Sequence, residues 1–130
     1  MKKWLLAIPT LCFTFLSQAQ PTWSEDAAQI MYDNCTECHR VGELGPMPLT
    51  TYDEVAANGY YIEYVTQSGY MPPWTPDHNY TTLNGERFLT EEEKQTIVDW
   101  VAADMPEGNP SDNPGMPDFD IGLQLGNPDL

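Results

Sequence analysis

Basic residues are nearly absent from this chain. Its 130 residues carry five Lys and Arg against 20 Asp and Glu, a formal charge of −15. Nucleic acid and anionic lipid are excluded as partners by that balance, because both are held through clusters of Lys and Arg. What such a surface can do is stay soluble in salt or steer a basic partner. Cysteine is scarce as well: there are three, of which Cys12 falls in an N-terminal leader, so nothing is left to build a disulfide framework. Long apolar runs are also missing. The longest, residues 4–16, is shorter than the roughly 20 residues a spanning helix needs.

That apolar run follows Lys2 and Lys3 and ends in Ser17-Gln18-Ala19, the small residues a signal peptidase accepts. Residues 1–19 are therefore expected to be an export signal, with the mature chain starting at Gln20; an uncleaved membrane anchor is the competing expectation. Without the leader, Arg40, Arg87 and Lys94 stand against the same 20 acids, a formal charge of −17. The length suits one domain, and no membrane insertion is expected after cleavage. The expected location is periplasmic or extracellular, an oxidising compartment compatible with paired thiols.

The two cysteines of the mature chain lie within five residues, Cys35-Thr36-Glu37-Cys38-His39. Two thiols three positions apart, followed at once by an imidazole, suit addition of both sulfurs to the vinyl groups of haem while the ring reaches the iron. The competing readings are weaker. A redox dithiol wants a strand before it and a βαβ unit around it, which the pattern lacks. Zinc wants about four ligands, and the mature chain has only these thiols, His39 and His78. A structural disulfide leaves His39 without a purpose.

The flanking elements read as helical. Residues 21–34 begin with Thr22 or Ser24 as cap, carry Glu25 and Asp26 in the first turn, and place Ala27, Ile30, Met31 and Asn34 at helical spacing, a face expected to pack on the last helix. Residues 40–48, broken by Gly42, Gly45, Pro46 and Pro48, form a loop. Thr51 and Glu54 make a capping box for a helix running to Ser68, in which Gly59 marks either a junction of two short helices or a close backbone approach. Tyr60, Tyr61, Tyr64 and Tyr70 are expected to pack in the core and its rim. Thr90 and Glu93 open the clearest helix, with Ile97, Val98, Trp100, Val101 and Met105 on its inner side and its end at Pro106 and Gly108.

In Met71-Pro72-Pro73-Trp74 the prolines stiffen the backbone that presents the methionine, as an axial thioether requires. Met71 is the expected sixth ligand, with His78 and then Met47 as rivals. Trp74 and Arg87 are candidates to face the haem propionates. Residues 107–130 follow in a segment rich in Pro, Gly and acids, without Lys or Arg, that reads as an extended tail or linker. In it Phe119, Ile121, Leu123 and Leu125 alternate, and Asp118 with Asp120 is a weak calcium signal.

Taken together, Cys35 to His39, Gly45-Pro46, residues 49–65, Gln67-Ser68, Met71-Pro72-Pro73-Trp74 and residues 89–101 resemble the small class I-like cytochrome c domain of exported bacterial proteins, often found with a copper type II ascorbate-dependent monooxygenase-like domain. The resemblance covers about residues 24–107. It implies an all-α cytochrome c fold, three to four short helices around one haem in residues 20–106, with one covalent haem c held by Cys35 and Cys38 and the iron by His39 and Met71. It also implies that the Pro46 carbonyl accepts the His39 N–H. The expected function is one-electron transfer between redox proteins, with no catalysis. A haem-based sensor with a displaceable Met71, or an electron-input module for a separate copper enzyme, are the alternatives; no copper domain lies within the 130 residues, and no monooxygenase role is carried over.

Overall fold

In a computed structural model of the chain, residues 20–74, 76–77, 79–81, 83–119 are described. The N-terminal helix owes its start to Thr22, whose hydroxyl accepts the Glu25 amide at 3.2 Å while its own N–H donates to Asp26 Oδ2 at 2.8 Å. The chain first makes a wide π-helical turn, Trp23–Ala27, and passes directly into α1, Ala28–Asn34. One side of this combined helix is apolar and buried: Trp23, Ala27, Ala28, Ile30, Met31 and Tyr32. The remaining helices are α2, Tyr52–Ala56, α3, Gly59–Gln67, and α4, Glu91–Ala102, with a short 3₁₀ turn at Pro110–Asp112. The described residues are all-α, without a strand, and no described helix is long and apolar enough to cross a membrane.

Both expected capping boxes form. The Thr51 and Thr90 hydroxyls accept the amides of Glu54 and Glu93, and each glutamate bonds back to the cap amide. The Glu54 carboxylate also accepts from the Thr50 hydroxyl and amide at 2.8 Å each, contacts that hold its carboxyl below its ordinary value. Gly59 meets both halves of its expectation. It opens α3 after a two-residue break from α2, and any Cβ there would run into the Met105 sulfur just past α4, so its missing side chain lets the start of α3 lie close to that turn.

The first helix packs on α4, as expected. Trp100, fully buried, lies 6.2 Å from Trp23 between ring centroids, and Trp23 meets Tyr32 edge to face at 5.8 Å. Around this aromatic centre sit Leu49, Val55, Ile62, Leu89, Ile97 and Val101.

Two expectations are corrected. The last helix stops at Ala102, short of Pro106: Asp104 and Met105 take positive φ of 63° and 54°, and the Met105 amide turns back to the Trp100 carbonyl at 3.0 Å. Turning early points the next carbonyls inward, where Pro106 accepts from Trp23 N–H at 2.8 Å and Trp100 Nε1 at 3.0 Å, and Glu107 accepts from Ser24 N–H at 2.9 Å. The tyrosines are the second correction. Tyr60, Tyr61, Tyr64 and Tyr70 are exposed, not packed, because α3 buries the face carrying Gly59, Ile62, Val65 and Thr66 and turns the opposite side to solvent.

Beyond Glu107 the chain lies along the first helix. Gly108, at φ 76°, presses so closely on Thr22 that a Cβ would stand 2.6 Å from its hydroxyl oxygen; Asn113 Oδ1 accepts from the Tyr32 hydroxyl at 3.4 Å; and the Phe119 ring carries the Arg40 guanidinium 4.1 Å from its centroid. The leader, Asp120, Ile121, Leu123 and Leu125 lie outside the described residues.

Candidate functional site

After α1 the chain keeps turning helically through the cysteine motif: the Cys38 and His39 amides donate to the Cys35 carbonyl at 3.2 and 2.9 Å. This winding gives the five residues two sides. Thr36 is fully buried toward the core and donates its hydroxyl to the Tyr32 carbonyl at 2.8 Å, whereas Cys35, Cys38 and His39 line a cavity of about 280 Å³. The loop after the motif and the α3 side complete the lining, with Leu44, Gly45, Pro46, Met47 and Leu49 from one and Tyr61, Ile62, Val65 and Met71 from the other. The walls are largely apolar, which suits a flat hydrophobic cofactor with a few polar anchors.

His39 is oriented by the loop beneath it. Gly45 N–H donates to the Cys38 carbonyl and Leu49 N–H to the His39 carbonyl, each at 2.8 Å, so the loop is tied at both ends. Its Met47 carbonyl lies 3.1 Å from His39 Nδ1. A carbonyl can only accept, so Nδ1 carries the proton and the Nε2 lone pair of the neutral ring is left free for a metal. The expected acceptor was Pro46; the residue inserted between Pro46 and Leu49 moves the role one position along the chain, while Pro46 still lines the cavity. Gly45 fits under the ring only because it has no side chain: a Cβ would stand 2.6 Å from His39 Nδ1 and 2.8 Å from the Cys38 carbonyl oxygen. Its Gly-Pro neighbourhood marks a turn in the sequence, but nothing there reveals the contact.

Both thiols are free. Burial, then the neighbouring Cys38 and Glu93, push the Cys35 thiol up to about 12. Arg87 reaches the motif from the segment before α4, with Nη1 3.3 Å from Cys38 Sγ and Nη2 2.9 Å from Glu37 Oε2, and it lines the cavity. Met71 follows α3 through a turn in which its N–H donates to the Val65 carbonyl at 3.0 Å; it is half-buried and lines the cavity with His39. Trp74 is not part of that lining, but its Nε1–H is buried without an acceptor. His78, the rival ligand, lies outside the described residues. Among the described residues no three His, Cys, Asp or Glu gather as a metal site, and no strand is found.

The residues present fit a haem c. Two free thiols and an oriented imidazole share an apolar cavity with a thioether, and the Arg87 guanidinium, paired with Glu37, stands in its wall. Compared with known proteins, the chain matches no family model, no curated protein and no solved structure. The site itself therefore carries the functional argument.

Proposed function

We propose that the chain is an exported monohaem cytochrome with a c-type fold that carries single electrons between partner proteins. One observation carries this reading: Cys35, Cys38, His39 and Met71, separated by as many as 36 positions, line one largely apolar cavity. Bound there, haem c supplies the one-electron chemistry. The chain supplies the rest. Cys35 and Cys38 would hold the group covalently, His39 would offer it Nε2 from a ring fixed by the Met47 carbonyl, and Met71 would offer it a neutral thioether. Leu49, Ile62 and Val65 would give the group an apolar wall, and Arg87, which also lines the cavity, would offer a donor to the propionates. With His39 and Met71 both given to the group, the site would leave no donor position for a substrate, and the protein would act as a carrier.

The test is expression with the leader in a host that attaches haem c, followed by intact mass and a pyridine haemochrome spectrum. The expected mass is that of the chain from Gln20 plus one haem, and the expected spectrum is that of haem with both vinyls saturated. Colourless exported protein with two alkylatable thiols overturns the proposal. Carbon monoxide added to the reduced protein separates the roles: an unchanged spectrum marks a carrier, and a shifted one marks a displaceable Met71 and the sensor alternative.

A further inference from the structure

Four of the exposed tyrosines, Tyr60, Tyr61, Tyr64 and Tyr70, lie on α3 or just after it. Tyr60 and Tyr64 stand one turn apart on the outer side of α3; Tyr61, Tyr64 and Tyr70 rim an open bowl floored by Val65 and Gly69. Each is more than half exposed. Tyr61 and Val65 belong both to this bowl and to the wall of the cavity that holds His39 and Met71, so the face adjoins the proposed redox site directly. Stability does not explain the tyrosines, since the helix buries its other side. Tyrosine is enriched at protein interfaces because it offers a large amphipathic surface and loses little conformational freedom on contact.

The charge of the whole chain narrows the occupant of this face. The only Lys and Arg among the described residues are Arg40, Arg87 and Lys94, and each is held by a carboxylate, Glu43 at 3.1 Å, Glu37 at 2.9 Å and Glu91 at 2.8 Å. A second copy of so acidic a chain is repelled, as are nucleic acid and anionic membranes. We propose that the tyrosine face of α3, with Tyr70, docks a basic protein that exchanges electrons with the adjoining site. The docking rests on the haem reading for its purpose. Long-range attraction brings the partner in, and the tyrosines fix where it settles.

The test uses the ¹⁵N-labelled, haem-loaded protein, reduced, titrated with a reduced basic cytochrome of the mitochondrial type as probe. Expected are amide shifts concentrated on residues 60–71, reversed by raising the salt, and binding weakened at least fivefold in Tyr60→Gln/Tyr64→Gln, whose folding is checked by its own spectrum and melting. A Glu92→Gln control on the outer side of α4 should bind within twofold of the parent. Shifts centred on Glu91 and Glu92, or a tyrosine variant that binds like the parent, overturn the proposal, because charge alone would then place the partner. Self-association through residues 60–71, seen by sedimentation, overturns it in favour of a second copy. Absorbance reports haem on each sample before titration, so failure of the haem reading and failure of docking are read separately.

Discussion

Replacing Gly45 with alanine should disturb His39 more than its size suggests. The added Cβ would lie 2.6 Å from Nδ1, 2.7 Å from Cγ and 2.8 Å from the Cys38 carbonyl oxygen, all closer than carbon tolerates. The Cys38 carbonyl cannot yield, because it accepts the Gly45 amide itself at 2.8 Å, so the ring must swing and its 3.1 Å contact with the Met47 carbonyl is lost. Overpacking of this kind costs about 1–3 kcal/mol. Losing one hydrogen bond adds roughly 0.5–1.5 kcal/mol, so denaturant unfolding should show a loss of about 2–4 kcal/mol. Gly42→Ala is the control. It stands in open space at φ 91° and should cost only the ~1–2 kcal/mol of left-handed backbone, with His39 untouched. The discriminating assay is ¹⁵N NMR of the imidazole, where Gly45→Ala should lose the Nδ1–H tautomer and Gly42→Ala keep it. If Gly45→Ala keeps both the tautomer and the parent stability, the loop does not orient His39 and the reasoning fails.

Met71→Ala should open the proposed haem site to carbon monoxide and lower the reduction potential, and Met71→His should lower the potential while keeping six-coordinate spectra, since imidazole favours ferric iron more than a thioether does; redox titration and ligand binding check both, and a parent-like spectrum in Met71→Ala refutes the ligand assignment. Gly108→Ala should destabilise the domain by about 2–4 kcal/mol in urea unfolding, combining left-handed strain with displacement of the Thr22 cap. In the haem-free chain, Cys35 binds its proton more tightly folded than unfolded, so its stabilising contribution is complete below pH 9 and is lost as pH rises toward 12. Cys35→Ala should remove that part of the alkaline slope in pH-dependent unfolding. Thr90→Ala should cost about 1 kcal/mol by removing a formed capping box, measured the same way.

Local chemistry was the legible part of the sequence. Thr51 with Glu54 and Thr90 with Glu93 cap their helices as read, because a capping box is closed within four residues and needs no tertiary partner. The motif residues and Met71 reach one cavity because a helical turn and a stiff proline segment each fix where their side chains point. What failed depended on distant partners. The end of α4 follows from the needs of Trp23, Ser24 and Trp100 for the Pro106 and Glu107 carbonyls, which the local sequence around Met105 does not display. The tyrosines of α3 look like core residues until Gly59 and Met105 show which side of the helix is buried. Met47 took the place expected of Pro46 because a single inserted residue shifts a carbonyl that composition cannot locate.

The hydrogen bonds from Trp23 and Ser24 to Pro106 and Glu107 also bear on the order in which the domain assembles. The first helix finds its partners about 80 positions further along the chain, and contacts so remote in sequence form late because the intervening loop must close first. Until α4 and residues 106–107 arrive, Trp23 has no Trp100 to pack against, and the turn bearing Cys35 and Cys38 has no finished wall behind it. On the proposal that the chain is exported N-terminus first, it would present both thiols in an open segment while residues 106–107 are still in transit, the interval in which a maturation enzyme would reach them.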